Sequence, residues 1–149
     1  MKYLQLSTLY PSMLNDFYEE KSFNKSINLT EIQNQIKRQF IESHRWPYFL
    51  SKEKFQVKSF IANDYFSQNL WCNENEIKIK SKKNWYFEII FSQIKQFKPN
   101  ILFLTSESLL SSSEIKLLKN SFSFLKKIIL WIGVLNGTND TNLINNVDT

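Results

Sequence analysis

The sequence predicts an α/β fold: a Rossmann-like three-layer αβα arrangement around a mainly parallel sheet of about four or five strands. Two observations carry that expectation. Four short apolar runs, residues 3–6, 55–62, 101–104 and 128–132, alternate with stretches of helical periodicity, the signature of stacked βαβ units. The third run, Ile101-Leu102-Phe103-Leu104, is apolar at every position, as strands buried on both faces of a parallel sheet are.

The elements follow in order. Tyr3 to Leu6 gives the first strand, Thr8-Leu9-Tyr10-Pro11 a turn, and Ser12 a cap for a helix whose apolar positions Met13, Leu14, Phe17 and Tyr18 share one face. A polar break over residues 21–28 leads to a second helix, for which Thr30 and Gln33 supply a capping-box pattern. Ile32, Ile36 and Phe40 recur every four residues there, a narrow apolar stripe that belongs to a surface helix. Residues 44–50 contain Pro47 and three aromatics, and read as an irregular packed segment before the second strand. Asn63-Asp64 ends that strand, and a short helix runs through Gln68, Leu70 and Trp71. Lys78, Lys80, Lys82 and Lys83 then mark an exposed crossing, expected to be loosely held around Ser81.

The clearest helix spans residues 85–97, because Glu88, Ser92 and Lys95 or Gln96 leave a polar stripe while seven apolar side chains fill the rest. At about 1.5 Å per residue it is long enough to cross one face of a sheet, and Lys98-Pro99 stops it. Ser111 and Glu114 form a capping box for a helix striped by Ile115, Leu118 and Phe122, after which residues 126–132 return as the fourth strand. No internal repeat and no long linker divides the 149 residues, so they read as one domain, which at this length buries roughly 70% of its unfolded surface. The chain stops at Val147-Asp148-Thr149, where another buried strand could begin, and is expected to be the front part of something larger.

Composition narrows the function classes. Aromatics at 15% argue against a disordered chain. The single Cys72 forms no internal disulfide and belongs to no zinc-type spacing, and it reads as a buried inert thiol. Gln5, Ser7 and Thr8 break the apolar block that a signal peptide needs, and the longest apolar stretch is far short of the roughly 20 residues of a membrane span. The expectation is a soluble, cytoplasmic protein. The net charge of +5 comes from lysines, with Arg38 and Arg45 the sole arginines, whereas Arg is preferred for bidentate phosphate and base contacts. A solvated surface explains the charge better than nucleic-acid binding, with weak contact to an anionic membrane as the other open use.

The two glycines, Gly133 and Gly137, lie outside the first strand-to-helix turn, so neither a dinucleotide fingerprint nor a P-loop is present, and no cofactor is expected. The lone His44 has no serine in a nucleophile elbow, and reads as packed or surface. Glu19 and Glu20 point to neighbouring faces of the first helix and read as a solvated edge. The informative positions are the carboxyl ends of the strands, where open α/β sheets bind ligands. They carry Thr8 and Tyr10, then Asn63 and Asp64, then Thr105, Ser106 and Glu107, then Gly133 and Asn136. These groups suit a hydroxyl-rich ligand better than a phosphate, although turns favour the same residue types.

The opening strand and turn with Tyr10-Pro11, the Ala62-Asn63 strand end followed by Gln68, Trp71 and Glu74, and the block at residues 93–104 together resemble the N-terminal domain of bacterial GT-B glycosyltransferases, especially those of spore-maturation type. The resemblance spans most of residues 1–135. It implies an acceptor-side domain that works with a C-terminal domain or separate subunit holding the nucleotide-sugar donor, and a sugar or glycan acceptor as partner. It implies Thr8, Tyr10, Asn63, Gln68, Thr105, Gly133 and Asn136 as acceptor-binding residues, with Glu107 as the acid to test as general base. Activity then requires the donor-binding half. The alternatives from the residues alone are a non-catalytic α/β interaction module, and a weak polyanion-binding protein that uses the lysines at 78–83.

Overall fold

The computed structural model describes residues 1–21, 27–40, 45–132 and 141–148. His44, Gly133, Asn136 and Gly137 lie outside the described residues. In chain order the elements are β1 (Lys2–Ser7), α1 (Pro11–Lys21), α2 (Leu29–Gln39), α3 (Arg45–Lys52), β2 (Gln56–Ile61), α4 (Tyr65–Glu74), α5 (Trp85–Phe97), β3 (Ile101–Leu104), α6 (Ser112–Ser121), β4 (Lys127–Leu130) and α7 (Thr141–Asn146). The four strands form one all-parallel sheet in the order β2-β1-β3-β4, the expected three-layer α/β plan of Rossmann type.

Strand alternation divides the core. Leu4 and Leu6 of β1 sit in register with Lys58 and Phe60 of β2 and with Leu102 and Leu104 of β3, and so share one face. On that face they pack with Trp71 and Cys72 of α4, Ile89, Ile90 and Ile94 of α5, and Ile115 and Leu118 of α6. Ile61 points the other way, into a second cluster with Leu14 and Phe17 of α1 and Ile32 and Ile36 of α2. Burying one such side chain contributes about 1.5–3 kcal/mol, so both faces are held. Tyr3, Gln5 and Ser7, also on the second face, are buried polar residues of a central strand, and they are bonded along the strand. Tyr3 Oη donates to Gln5 Oε1 at 3.2 Å and Gln5 Nε2 to Ser7 Oγ at 3.0 Å, while the Tyr3 ring stacks on Phe103.

Several helix starts differ from the sequence reading. Pro11 takes the first position of α1, where its missing N–H costs nothing, and Ser12 falls inside the helix. Asn28 caps α2, accepting from the Glu31 N–H at 2.9 Å, so the Thr30/Gln33 pattern lies within the first turns. Residues 45–52 form α3 because Pro47 sits in the first turn, where a helix tolerates it. Asp64, at the end of β2, is the cap of α4. The Ser111/Glu114 capping box and the bounds of α5 are as the sequence predicts, with Lys98 in the left-handed conformation (φ 54°) closing α5. Around Ser81 the backbone is tied down: the Lys80 and Ser81 N–H groups donate to the two Glu88 carboxylate oxygens, at 2.7 and 3.0 Å, and Ile77 and Ile79 pack against the core.

The outer edge of β4 is occupied locally by Asp148. Its N–H donates to the Ile128 carbonyl and its Oδ2 accepts from the Ile128 N–H, both at 2.7 Å, with Lys119 Nζ 3.4 Å away. The Ile128 N–H foremost, with help from Lys119 and against a contrary push from burial, holds the Asp148 carboxyl below its ordinary value of 3.8. A carboxyl depressed in the folded state adds stability above its unfolded value and loses it as the pH falls through the folded one. Asp148→Asn is expected to cost ~1 kcal/mol at neutral pH in urea unfolding, with the difference from the parent shrinking below pH 3.8.

Candidate functional site

A crevice of about 740 Å³ opens at the carboxyl ends of the strands. Its position follows from topology. β2 and β3 lie on opposite sides of β1, and their crossovers leave on opposite faces of the sheet, so the loops after β1 and β3 part at their ends. Thr8 and Tyr10 follow β1, Asn63 follows β2, Thr105 and Glu107 follow β3, and all five line this one crevice. Ser106 and Ser108 join them.

Each loop is held in place by bonds to its neighbours. The Thr105 N–H donates to the Leu6 carbonyl at 3.1 Å, and the Trp131 N–H to the Leu104 carbonyl at 2.8 Å, which prolongs the ladders past the last strand residues. Asn63 clamps the loop after β1: its Nδ2 donates to the Leu9 carbonyl at 2.7 Å, and its Oδ1 accepts from the Leu9 N–H at 3.1 Å. Asn63 is therefore a strut of the wall, with its amide oxygen and nitrogen both engaged. Ser106 and Ser108 share a hydroxyl bond of 2.8 Å, and the Ser108 N–H donates to Ser106 Oγ, which fixes the turn that carries Glu107.

Glu107 is the distinctive group. Its Oε2 is shielded from solvent and accepts no hydrogen bond from the protein. A buried acceptor left unmade costs roughly 1–3 kcal/mol, so such an atom at a crevice marks a place where a donor from a ligand or water completes the site. The lining includes no lysine or arginine among the described residues, so this carboxylate has no cation in the crevice to meet it.

Aromatic walls complete the site. Trp85 and Tyr86 come from the first turn of α5, which runs back antiparallel to the strands and so begins at their carboxyl ends. Trp131, beyond β4, is 59% exposed, and Tyr10 is 76% exposed. Burial first, and the Glu114 carboxylate second, push the Tyr86 hydroxyl above its ordinary value, so it stays a neutral hydrogen-bond donor. The sequence reading names Tyr10 but misses Trp85, Tyr86 and Trp131. The strand-end argument names loops that follow strands, whereas Trp85 and Tyr86 precede one, and the sequence predicts Trp131 inside the fourth strand, which ends at Leu130.

Gln68 lies elsewhere. It is 2% exposed, its Nε2 donates to the outward Ile61 carbonyl at 2.9 Å, and its Oε1 accepts from Gln93 Nε2 at 2.7 Å. The structure brings it to the core between α4 and α5, outside the lining of the crevice. Trp71 is likewise packed against Phe60. Asp64 is buried, capping α4 with Oδ1 and accepting the Tyr18 hydroxyl on Oδ2 at 2.7 Å. Cys72 is buried, and burial pushes its thiol up, away from the reactive thiolate. Glu19 and Glu20 are exposed. No group of three or more metal-ligating side chains occurs among the described residues, and no helix there is long and apolar enough to cross a membrane.

Comparison of the chain with family models, with curated proteins and with solved structures finds no match in any of the three. What fold and geometry define is an open parallel α/β protein with a polar and aromatic crevice at its topological switch point. Gln68→Ala is expected to cost about 1–3 kcal/mol in denaturant unfolding, because it orphans the Ile61 carbonyl and the Gln93 amide. The same change should leave ligand binding in the crevice intact.

Proposed function

We propose that this protein binds a neutral, hydroxyl-rich ring ligand in the strand-end crevice, as the acceptor-binding part of a sugar transferase. The observation that carries the reading is the unpartnered, buried Oε2 of Glu107 beside hydroxyl and aromatic side chains, with no cation in the lining. A sugar hydroxyl supplies the missing donor. The C–H face of a sugar ring is apolar, and Trp131, Trp85 and Tyr10 offer flat surfaces to receive it. The absence of lysine and arginine from the described lining disfavours a ligand whose main feature is a phosphate.

In this reading Glu107 is also the candidate general base. It takes the proton of the acceptor hydroxyl as that oxygen bonds to the anomeric carbon of the donor, and the nucleotide departs with the electrons of the broken bond. The donor, a nucleotide sugar, is held by a separate domain or subunit, so the chain by itself is a binding protein without turnover. The resemblance described above supports this assignment of roles, and Thr8 and Thr105 supply further hydroxyls at the crevice floor.

The test is NMR titration of the labelled protein with a panel of neutral mono- and oligosaccharides. Binding should shift amide signals of residues 8–10 and 105–109, and Glu107→Gln should weaken it by about tenfold, the worth of one hydrogen bond to a charged acceptor. Trp131→Ala should weaken the same ligand, and neither variant should lower the unfolding midpoint. Shifts confined to other surfaces, or no response to any saccharide, would sink the reading and leave an α/β interaction module.

A further inference from the structure

The helix α3 has an inverted surface. Trp46, Tyr48 and Phe49 are 60%, 56% and 54% exposed, three large rings turned to solvent on eight residues, whereas a soluble helix normally turns such side chains inward. At 100° per residue, Tyr48, Lys52, Arg45, Phe49 and Trp46 fall in that order within one arc of about 160°, while Pro47, which is buried, lies opposite. Three rings and two cations therefore share one face of the helix, and α3 itself contains no acidic residue.

The surroundings carry the same sign. Lys54 follows the helix in an exposed turn, and Lys37 of α2 and Lys58 of β2 flank the groove of about 850 Å³ that runs beside α3. Among the described residues, Glu53 follows the helix and Glu74 lines the groove, where its Oε1 is engaged by the Leu29 N–H at 3.0 Å. We propose that α3 docks this protein onto an anionic lipid bilayer, its rings entering the headgroup region and its cations meeting lipid phosphates. Aromatic side chains with a polar edge favour that depth of a membrane, and each Lys or Arg near an anionic leaflet adds attraction that salt screens.

The geometry favours a bilayer over a nucleic-acid strand. Base stacking needs open ring faces, but Lys52 Nζ lies 4.3 Å from the Tyr48 centroid and covers that ring, while Tyr48 and Phe49 meet edge to face at 73°. The proposal is independent of the crevice reading, since no residue of α3 lines the crevice.

The experiment is co-sedimentation of the full chain with two kinds of vesicle, pure phosphatidylcholine and phosphatidylcholine mixed with phosphatidylglycerol. The chain should pellet with the mixed vesicles and stay in solution with the neutral ones, and added salt should release it. The double variant Trp46→Ser, Phe49→Ser should lose about tenfold in partitioning, because two buried rings are forfeited. Its unfolding midpoint should stay that of the parent, since both rings are exposed. Failure to pellet with the mixed vesicles, or pelleting that the double variant leaves unchanged, would overturn the proposal. So would binding of single-stranded RNA that disappears in the double variant while vesicle binding is absent.

Discussion

The handedness of the parallel crossover is the constraint on which the rest of the structure depends. A strand-helix-strand connection between parallel neighbours is right-handed, so a strand placed to one side of β1 sends its helices to one face, and a strand on the other side sends them to the opposite face. β2 and β3 flank β1 in this way. The consequence is visible in the two core clusters, α1 with Ile32 and Ile36 of α2 over one face and α4 to α6, joined by Leu29, over the other. It is visible again at the carboxyl ends, where the loops that part company leave the crevice. Site and fold are thus one consequence of strand order, and no special loop had to be added to make the cavity.

Polar groups taken into that core are nearly all bonded, which gives meaning to the exceptions. The Tyr3–Gln5–Ser7 relay runs along β1, the Gln68 amide closes the outward edge of β2, and Asp64 serves both the α4 cap and the Tyr18 hydroxyl. Among the described residues, two buried side-chain atoms stand without a protein partner: Gln93 Oε1 and Glu107 Oε2. They differ in setting. The Gln93 atom belongs to a side chain whose nitrogen is already engaged deep between helices, so its amide has a structural duty that accounts for its place. Glu107 has no comparable bond, and its shielded Oε2 lies at the crevice, where a donor from outside the chain can reach it. That asymmetry is why the functional reading rests on Glu107.

The strands and strand-end residues were legible in the sequence because parallel strands buried on both faces are apolar throughout, and because ligands meet such sheets at one end. Thr8, Tyr10, Asn63, Thr105 and Glu107 meet in space for that reason. Helix starts were less legible. Thr30 with Gln33 and Asn28 with Glu31 both satisfy the spacing of a cap, and the choice between them is made by where Leu29 finds a buried place, a tertiary fact. Pro47 marked a break by propensity, yet proline is at home in a first turn. Gln68 carried no mark in the sequence to separate a ligand-binding amide from one that closes a strand edge. The aromatics hid most: Trp46 and Trp71 look alike in sequence, and only packing puts one outside and the other in the core.

Charge placement joins the two surfaces. A net charge of +5 spread evenly would attract any polyanion weakly, but here the described lining of the crevice contains no basic residue, while Lys37, Arg45, Lys52, Lys54 and Lys58 gather around α3 and the groove beside it. An electrostatic field of one sign on one flank orients a molecule as well as attracting it. In the docking proposed for α3 the crevice is a separate surface, lined by a carboxylate and hydroxyl groups with no cation among the described residues. The two proposals thus draw on different groups, lysines for location and strand ends for recognition, and the linings of crevice and groove share no residue.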